Sequence, residues 1–169
     1  MRNKMKRPRS FQESHAGQLR ALVGDRLLKL PGACVLIEDA DGRVLLEQTR
    51  GRDDWRLVGG LAEARESLEQ CAIREVFEET GLLVKDLEPY GFSDNPAHIG
   101  TLPNGHILHS LTMLFHTTRY SGALSIDHDE LVDCRWFSLT ALPTTLHPRA
   151  RDFIDAFHAF QKHGKFQII

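Results

Sequence analysis

Three glutamates, Glu75, Glu78 and Glu79, stand at i, i+3 and i+4 within Leu68–Thr80. At about 100° per residue, that spacing puts their carboxylates in one arc of about 100° on a helix. Ser67 followed by Gln70 makes a capping box and predicts a helix start at Leu68. Gly81 supplies the left-handed residue on which helices end. Ala72, Ile73, Val76 and Phe77 fill the neighbouring arc and are expected to pack against a sheet. Like charges at i, i+4 cost a helix about 0.2–0.5 kcal/mol per pair. A hard divalent cation removes that repulsion and gives the cluster a purpose. Oxygen-only donors favour magnesium, with manganese as a substitute, over zinc. Such a metal binds carboxylates together with substrate phosphates, so the chemistry expected is attack of water on a phosphate ester or anhydride. Glu78-Glu79 alone would read as a solvated helix face. The wider pattern around it carries the argument.

The helix needs a sheet to stand on. Ala33–Glu38 and Arg43–Gln48 read as strands joined at Asp39-Ala40-Asp41-Gly42, where Asp-Gly supplies positive φ angles. Gln12–Val23 reads as a helix, and Leu82–Phe92 is expected to contain a strand. Asp94–Gly105, with Asn-Pro and Pro-Asn-Gly, reads as a long loop. Ile107–Thr118 suits a central strand, and Leu131–Phe137 another. Phe153, Ile154, Phe157 and Phe160 give His147–His163 the spacing of a C-terminal helix, its aromatics in the core or a homodimer contact. Strands alternating with helices predict a mixed sheet with helices packed on it, in an α/β fold.

Composition sets bounds. The 169 residues suit a single domain, residues 11–169, after a flexible basic tail, residues 1–10. The net charge of -2 gives no reason to expect nucleic acid or a membrane as partner. Cys34, Cys71 and Cys134 are odd in number and widely spaced, which favours free thiols in a reducing, cytoplasmic setting. The tail lacks the apolar stretch of a signal peptide. His106, His109 and His116 alternate faces along a strand, a poor chelate for zinc. Cys71 reads as a small packing residue.

The whole stretch Gly60–Leu82 resembles the Nudix box, Gly-x5-Glu-x7-Arg-Glu-U-x-Glu-Glu-x-Gly-U, with U aliphatic. Gly60, Glu66, Arg74, Glu75, Val76, Glu78, Glu79, Gly81 and Leu82 fill every defined position. Trp55–Gly60 is similar to the usual lead-in, with Val58 where many members have proline. Trp136-Phe137-Ser138-Leu139 and Leu142-Pro143 are similar to the usual closing segment. The resemblance implies an α/β/α sandwich and a divalent-metal hydrolase of diphosphate linkages. It implies Glu75 and Glu79 as principal metal ligands and Glu78 as a further ligand, direct or through water, with the Gly60 carbonyl joining them. Arg74 would orient a carboxylate, and Glu66 would hold the loop or bind a second metal through water. The base lies on the box helix in some members and on a later loop in others; Glu130 stands where some carry that later glutamate.

The substrate implied is a small nucleotide. A nucleoside diphosphate derivative such as ADP-ribose or a sugar nucleotide is favoured, with triphosphate cleavage to monophosphate and pyrophosphate as the alternative. Pro96 stands near, but just short of, the proline of the ADP-ribose group. No tyrosine marks the dinucleoside polyphosphate group, and the coenzyme A and NADH signatures are absent. A silent ligand-sensing Nudix domain usually loses box glutamates, and none is lost here. An isoprenoid diphosphate isomerase would need a cysteine and glutamate outside the box, and no such pair stands out.

Overall fold

The computed structural model describes residues 10–101 and 105–169. Most of the basic tail, and the Pro103-Asn104 of the expected loop, lie outside the described residues. Phe11–Glu13 forms a 3-10 turn, and helix α1 spans His15–Val23. A single helix from Gln12 was expected. Ser14 interrupts it: with φ -68 and ψ 158 its backbone is extended, and its hydroxyl accepts the Gly17 N–H at 3.1 Å. A serine that caps cannot also continue the preceding turn.

Strands β1 (Leu28–Ile37), β2 (Arg43–Thr49) and β3 (Trp55–Leu61) precede helix α2 (Leu68–Thr80). Then come β4 (Leu83–Val84) and β5 (Glu88–Ser93), and after a 3-10 turn at Pro96–His98, β6 (Gly100–Thr101). The chain continues through β7 (Ile107–Thr117), β8 (Tyr120–Ser121) and β9 (Leu131–Ser138). Helix α3 (Pro148–His163) and β10 (Gln167–Ile168) complete it. The expected long loop is thus broken by the 3-10 turn, which Asn95 caps by accepting Ala97 N–H at 3.0 Å, and by β6.

The main sheet runs β10-β5-β7-β1-β3-β2-β9. It is mixed, since β1–β7 and β10–β5 are parallel while the other pairs are antiparallel. Strand β3 was not anticipated; it runs through Gly59-Gly60, a residue type depleted in strands. It changes partner along its length: Trp55–Leu57 pair with β2, and Val58–Leu61 pair with β1. Val58 is therefore a fully buried strand residue opposite Val35, rather than part of a loop. The sheet buries both faces. Ala33, Val35, Leu45 and Val58 pack with Ala72 and Val76 of α2 on one side. Leu36, Leu46, Tyr90 and Leu114 pack with Ile154 and Phe157 of α3 on the other. This is an α/β/α sandwich. Phe77 departs from its expected place, since it is 51% exposed while Ala72 and Val76 carry the contact. Among the described residues, no helix is long and apolar enough to cross a membrane.

Candidate active site

Helix α2 begins with the capping box: Ser67 Oγ accepts the Gln70 N–H at 3.1 Å, and Gln70 Oε1 accepts the Ser67 N–H at 2.9 Å. It ends at Gly81, whose φ of 72° is left-handed. Between these caps, Arg74 gathers the carboxylates. It donates Nε to Glu66 Oε1 at 2.7 Å and Nη2 to Glu66 Oε2 at 2.8 Å, a bidentate pair. Its Nη1 meets Glu75 Oε1 at 2.8 Å and Glu78 Oε2 at 3.0 Å, and Nη2 also donates to the Leu61 carbonyl at 3.0 Å. Burial alone would lower the Arg74 pKa, but Glu66 and Glu75 hold it above its ordinary value. Glu66 Oε2 also accepts the Glu63 N–H at 3.0 Å, so it ties the loop before α2 to the helix.

The three box glutamates do not share one environment. Glu75 and Glu78 line a groove of about 550 Å³ together with Arg74, Glu63, Asp129 and Glu130. Glu79, only 8% exposed, turns inward, and its Oε2 accepts the Gly59 N–H at 3.2 Å. There it meets Glu47 of β2, a residue the sequence reading did not single out. A signal was present: Glu47 follows the apolar run Val44–Leu46 and alternates onto the face of Leu45, which packs toward α2. Its Oε2 is buried without a hydrogen-bond partner.

Such crowding changes the acids. Burial, countered by Arg74 and reinforced by Glu78 and Glu130, pushes Glu75 up to about 7. Burial pushes Glu47 up to about 8, despite its hydrogen bond with Glu79. Glu79 is raised well above the carboxylate range by burial and by the charges of Glu47 and Glu75. Gly60 borders this cluster closely, since a Cβ there would lie 2.5 Å from Glu75 Oε1. Its carbonyl receives a weak contact from Cys71 Sγ at 3.7 Å. Cys71 is fully buried, and burial raises its thiol pKa, as packing residues require.

Glu130 reaches the site from the 122–130 loop, which is tied to the end of α2 by Ser125 N–H to the Thr80 carbonyl (2.8 Å) and Asp127 N–H to the Glu79 carbonyl (3.2 Å). A second cavity, of about 280 Å³, opens where β3 changes partner. Glu47, Glu79, Gly59 and Gly60 line it together with Arg56, Ser110, Thr112, His147 and Arg149. Leu61 borders both spaces, so they flank the end of β3. The three histidines singled out in the sequence play no common part, since His109 is buried at 3% exposure and His116 Nε2 lies 3.1 Å from Glu38 Oε2.

The NUDIX domain family model matches residues 28–157, well over half of the chain, and spans this entire arrangement. The chain belongs to the Nudix hydrolase family. Among curated Nudix relatives, it is 36% identical over 132 residues to the NAD-capped RNA hydrolase NudC of Pseudomonas aeruginosa, covering 76% of this chain and 44% of that protein. It is 31% identical over 128 residues to the NudC of Vibrio parahaemolyticus, covering 75% and 45% respectively. The chain thus spans less than half the length of these relatives. Among solved Nudix structures, the MutT Nudix hydrolase of Burkholderia pseudomallei superposes with a TM-score of 0.63 at 26% identity, covering 76% of this chain and 98% of that one. A UDP-X diphosphatase shares the fold, with a TM-score of 0.61 at 17% identity over 90% of this chain and 72% of its own.

Proposed function

We propose that the protein hydrolyses the diphosphate linkage of a nucleoside diphosphate derivative, with magnesium or manganese held by Glu75, Glu79 and Glu78 beside Gly60. The observation that supports it most is the buried carboxylate cluster of Glu47, Glu75 and Glu79 at the end of β3. Acids pushed up by burial and mutual repulsion are stabilised in their ionised form by a divalent cation, and an all-oxygen donor set suits magnesium. Among the described residues, no three Asp, Glu, His or Cys side chains are already gathered at metal-binding distance. Arg74 accounts for this, because it draws Glu66, Glu75 and Glu78 to its own guanidinium.

When bound, the metal would supply charge neutralisation at the diphosphate oxygens and a lowered pKa for the attacking water. The chain's own residues do the rest. Arg74 keeps Glu75 and Glu78 on the groove side of α2. Gly59 N–H and Glu47 orient Glu79. Glu130 lines the same groove, which supports a role in accepting a proton from water there. The products would be a nucleoside monophosphate and the phosphorylated partner.

The relatives' names favour an NAD-like dinucleotide as the first substrate to try, and they bring the NAD-capped end of RNA into the panel alongside the small nucleotides. The slightly acidic chain argues for the small molecule, because affinity for long nucleic acid rests on basic surface. Initial rates with magnesium on NAD, ADP-ribose, a sugar nucleotide, NAD-capped RNA and nucleoside triphosphates decide it. A diphosphate derivative is expected to give the highest kcat/KM. A triphosphate ten times better than every diphosphate derivative would replace this reading with a triphosphate pyrophosphohydrolase. No turnover of any of them would favour a ligand-sensing domain.

A further inference from the structure

Arg149 is a partly buried cation. It lies in the first turn of α3, and its side chain lines the 280 Å³ cavity. Its Nη2 donates to Thr112 Oγ1, and its guanidinium carbon sits 5.1 Å from the Phe153 ring centroid. Its Nε is shut off from solvent and has no hydrogen-bond partner. Burial lowers its pKa, and Arg56 lowers it further. No carboxylate of the described residues pairs with it. One hydroxyl and one ring face do not repay the desolvation of a guanidinium, and packing alone would be met by an apolar side chain of similar size.

The surroundings add positive charge. Arg56 lines the same cavity and is held in place by Asp54, with Nε–Oδ1 at 2.7 Å and Nη2–Oδ2 at 3.0 Å. That pair leaves Arg149 as the uncompensated charge. Burial and Arg56 hold His147 below its ordinary pKa, and its Nδ1 accepts the backbone N–H of Arg149 at 3.1 Å. The hydroxyls of Ser110 and Thr112 complete a polar lining, and the positive end of the α3 dipole adds to the field. Glu47, Glu79 and Gly59–Leu61 also line it and connect it to the carboxylate site.

We propose that this cavity is a subsite for an anionic group, a phosphoryl or a carboxylate, that the substrate carries apart from the diphosphate being cut, with Arg149 as its principal donor and Arg56 beside it. The proposal rests on the hydrolase reading for which molecule brings the anion, but not for the binding itself. A planar guanidinium lining the cavity carries several N–H donors in a fixed fork that matches the two oxygens of either group. Substrate discrimination follows: a partly desolvated cavity with an unpaired charge favours ligands that pair it over those that do not.

The test is anion binding to the full chain in excess chelator, where the glutamates hold no metal and so no phosphate through it. Inorganic phosphate and acetate are titrated separately at constant ionic strength and followed by calorimetry. Saturable binding of at least one is expected, weakened at least tenfold in Arg149→Gln and partly retained in Arg149→Lys, which keeps charge but loses the fork. Arg149→Gln removes a partly desolvated, unpaired charge, so its melting temperature should equal or exceed the parent's; were it to fail to fold, the lysine variant carries the comparison. Absence of saturable binding to both anions, or parental affinity in the variants, overturns the proposal. The stronger anion selects the substrate pair to compare next, NADP against NAD for phosphate and UDP-glucuronate against UDP-glucose for acetate. In the selected pair, the anion-bearing member should lose at least tenfold of its kcat/KM advantage in Arg149→Gln. Because the titration needs no turnover, a protein that binds anions yet cleaves no nucleotide would refute the hydrolase reading and leave the subsite standing.

Discussion

Glu79 is the residue on which chemistry and folding pull in opposite directions. It is buried against Glu47, and both acids are raised by burial, so they weaken the metal-free fold when ionised. Glu79→Gln keeps the shape, removes one charge and leaves an amide that can donate to Glu47. We expect kcat to fall by at least about 100-fold, with the melting temperature level or higher. Activity retained alongside a marked loss of Tm would make Glu79 structural. A pH prediction follows from the same cluster. The folded pKa values of Glu47 and Glu75 lie above their unfolded ones, at about 8 and about 7. Their contribution is therefore present in full below the unfolded carboxylate range and is lost as pH rises through about 7 to 8. Urea midpoints of the metal-free protein should fall across that window, and Glu47→Gln should flatten the fall. A midpoint that climbs between pH 6 and 9 would contradict the assignment.

At the scale of the element, α2 is held by two devices of different strength. The capping box at Ser67 and Gln70 is exposed and replaceable, so Ser67→Ala should cost about 1 kcal/mol and leave kcat/KM within a factor of a few. Arg74 is another matter. Its side chain is 7% exposed, and it serves Glu66, Glu75, Glu78 and the Leu61 carbonyl at once. Arg74→Met would leave three carboxylates without their cation. Such removals cost about 3–5 kcal/mol, and activity should be lost with the fold's rigidity. Denaturant melts of the two variants separate cap from hub, and a loss at Ser67 equal to that at Arg74 would show that the ion-pair hub is not what anchors the helix.

At the scale of the molecule, the sandwich carries two spaces that share Leu61 at the end of β3, one holding Glu63, Glu75, Glu78 and Glu130 and one setting Arg56 and Arg149 beside Glu47 and Glu79. A divalent metal that binds the folded state should raise its stability by mass action. Magnesium is expected to raise Tm in proportion to the logarithm of its concentration, and excess chelator to abolish hydrolysis until magnesium or manganese is restored. Undiminished turnover in chelator would sink the metal mechanism. The free thiols sit inside this frame: Cys71 and Cys134 are buried, Cys34 borders the arginine-lined cavity, and burial pushes its thiol up to about 11.

What the sequence alone determined is local. The helix at Leu68–Thr80, its caps and the shared arc of Glu75, Glu78 and Glu79 follow from a repeat of 3.6 residues, which needs no knowledge of anything distant. The hairpin around Gly42 and the strands β1, β2, β5, β7 and β9 were legible from local patterns in the same way, and the Nudix box carried the reaction type. Tertiary structure decided what depends on facing elements. It split the arc, leaving Glu75 and Glu78 on a groove while Glu79 turned inward, because Arg74 draws the first two and the Gly59 N–H donates to the third. It made β3 a strand across Gly59-Gly60, because β1 and β2 each offered an edge for half of it. It brought Glu47 to Glu79, across a separation of strand and helix that no periodicity encodes. It also placed Arg149 of α3 in one cavity with Arg56 of β3, since a side chain's partners across a sheet are set by strand order and register.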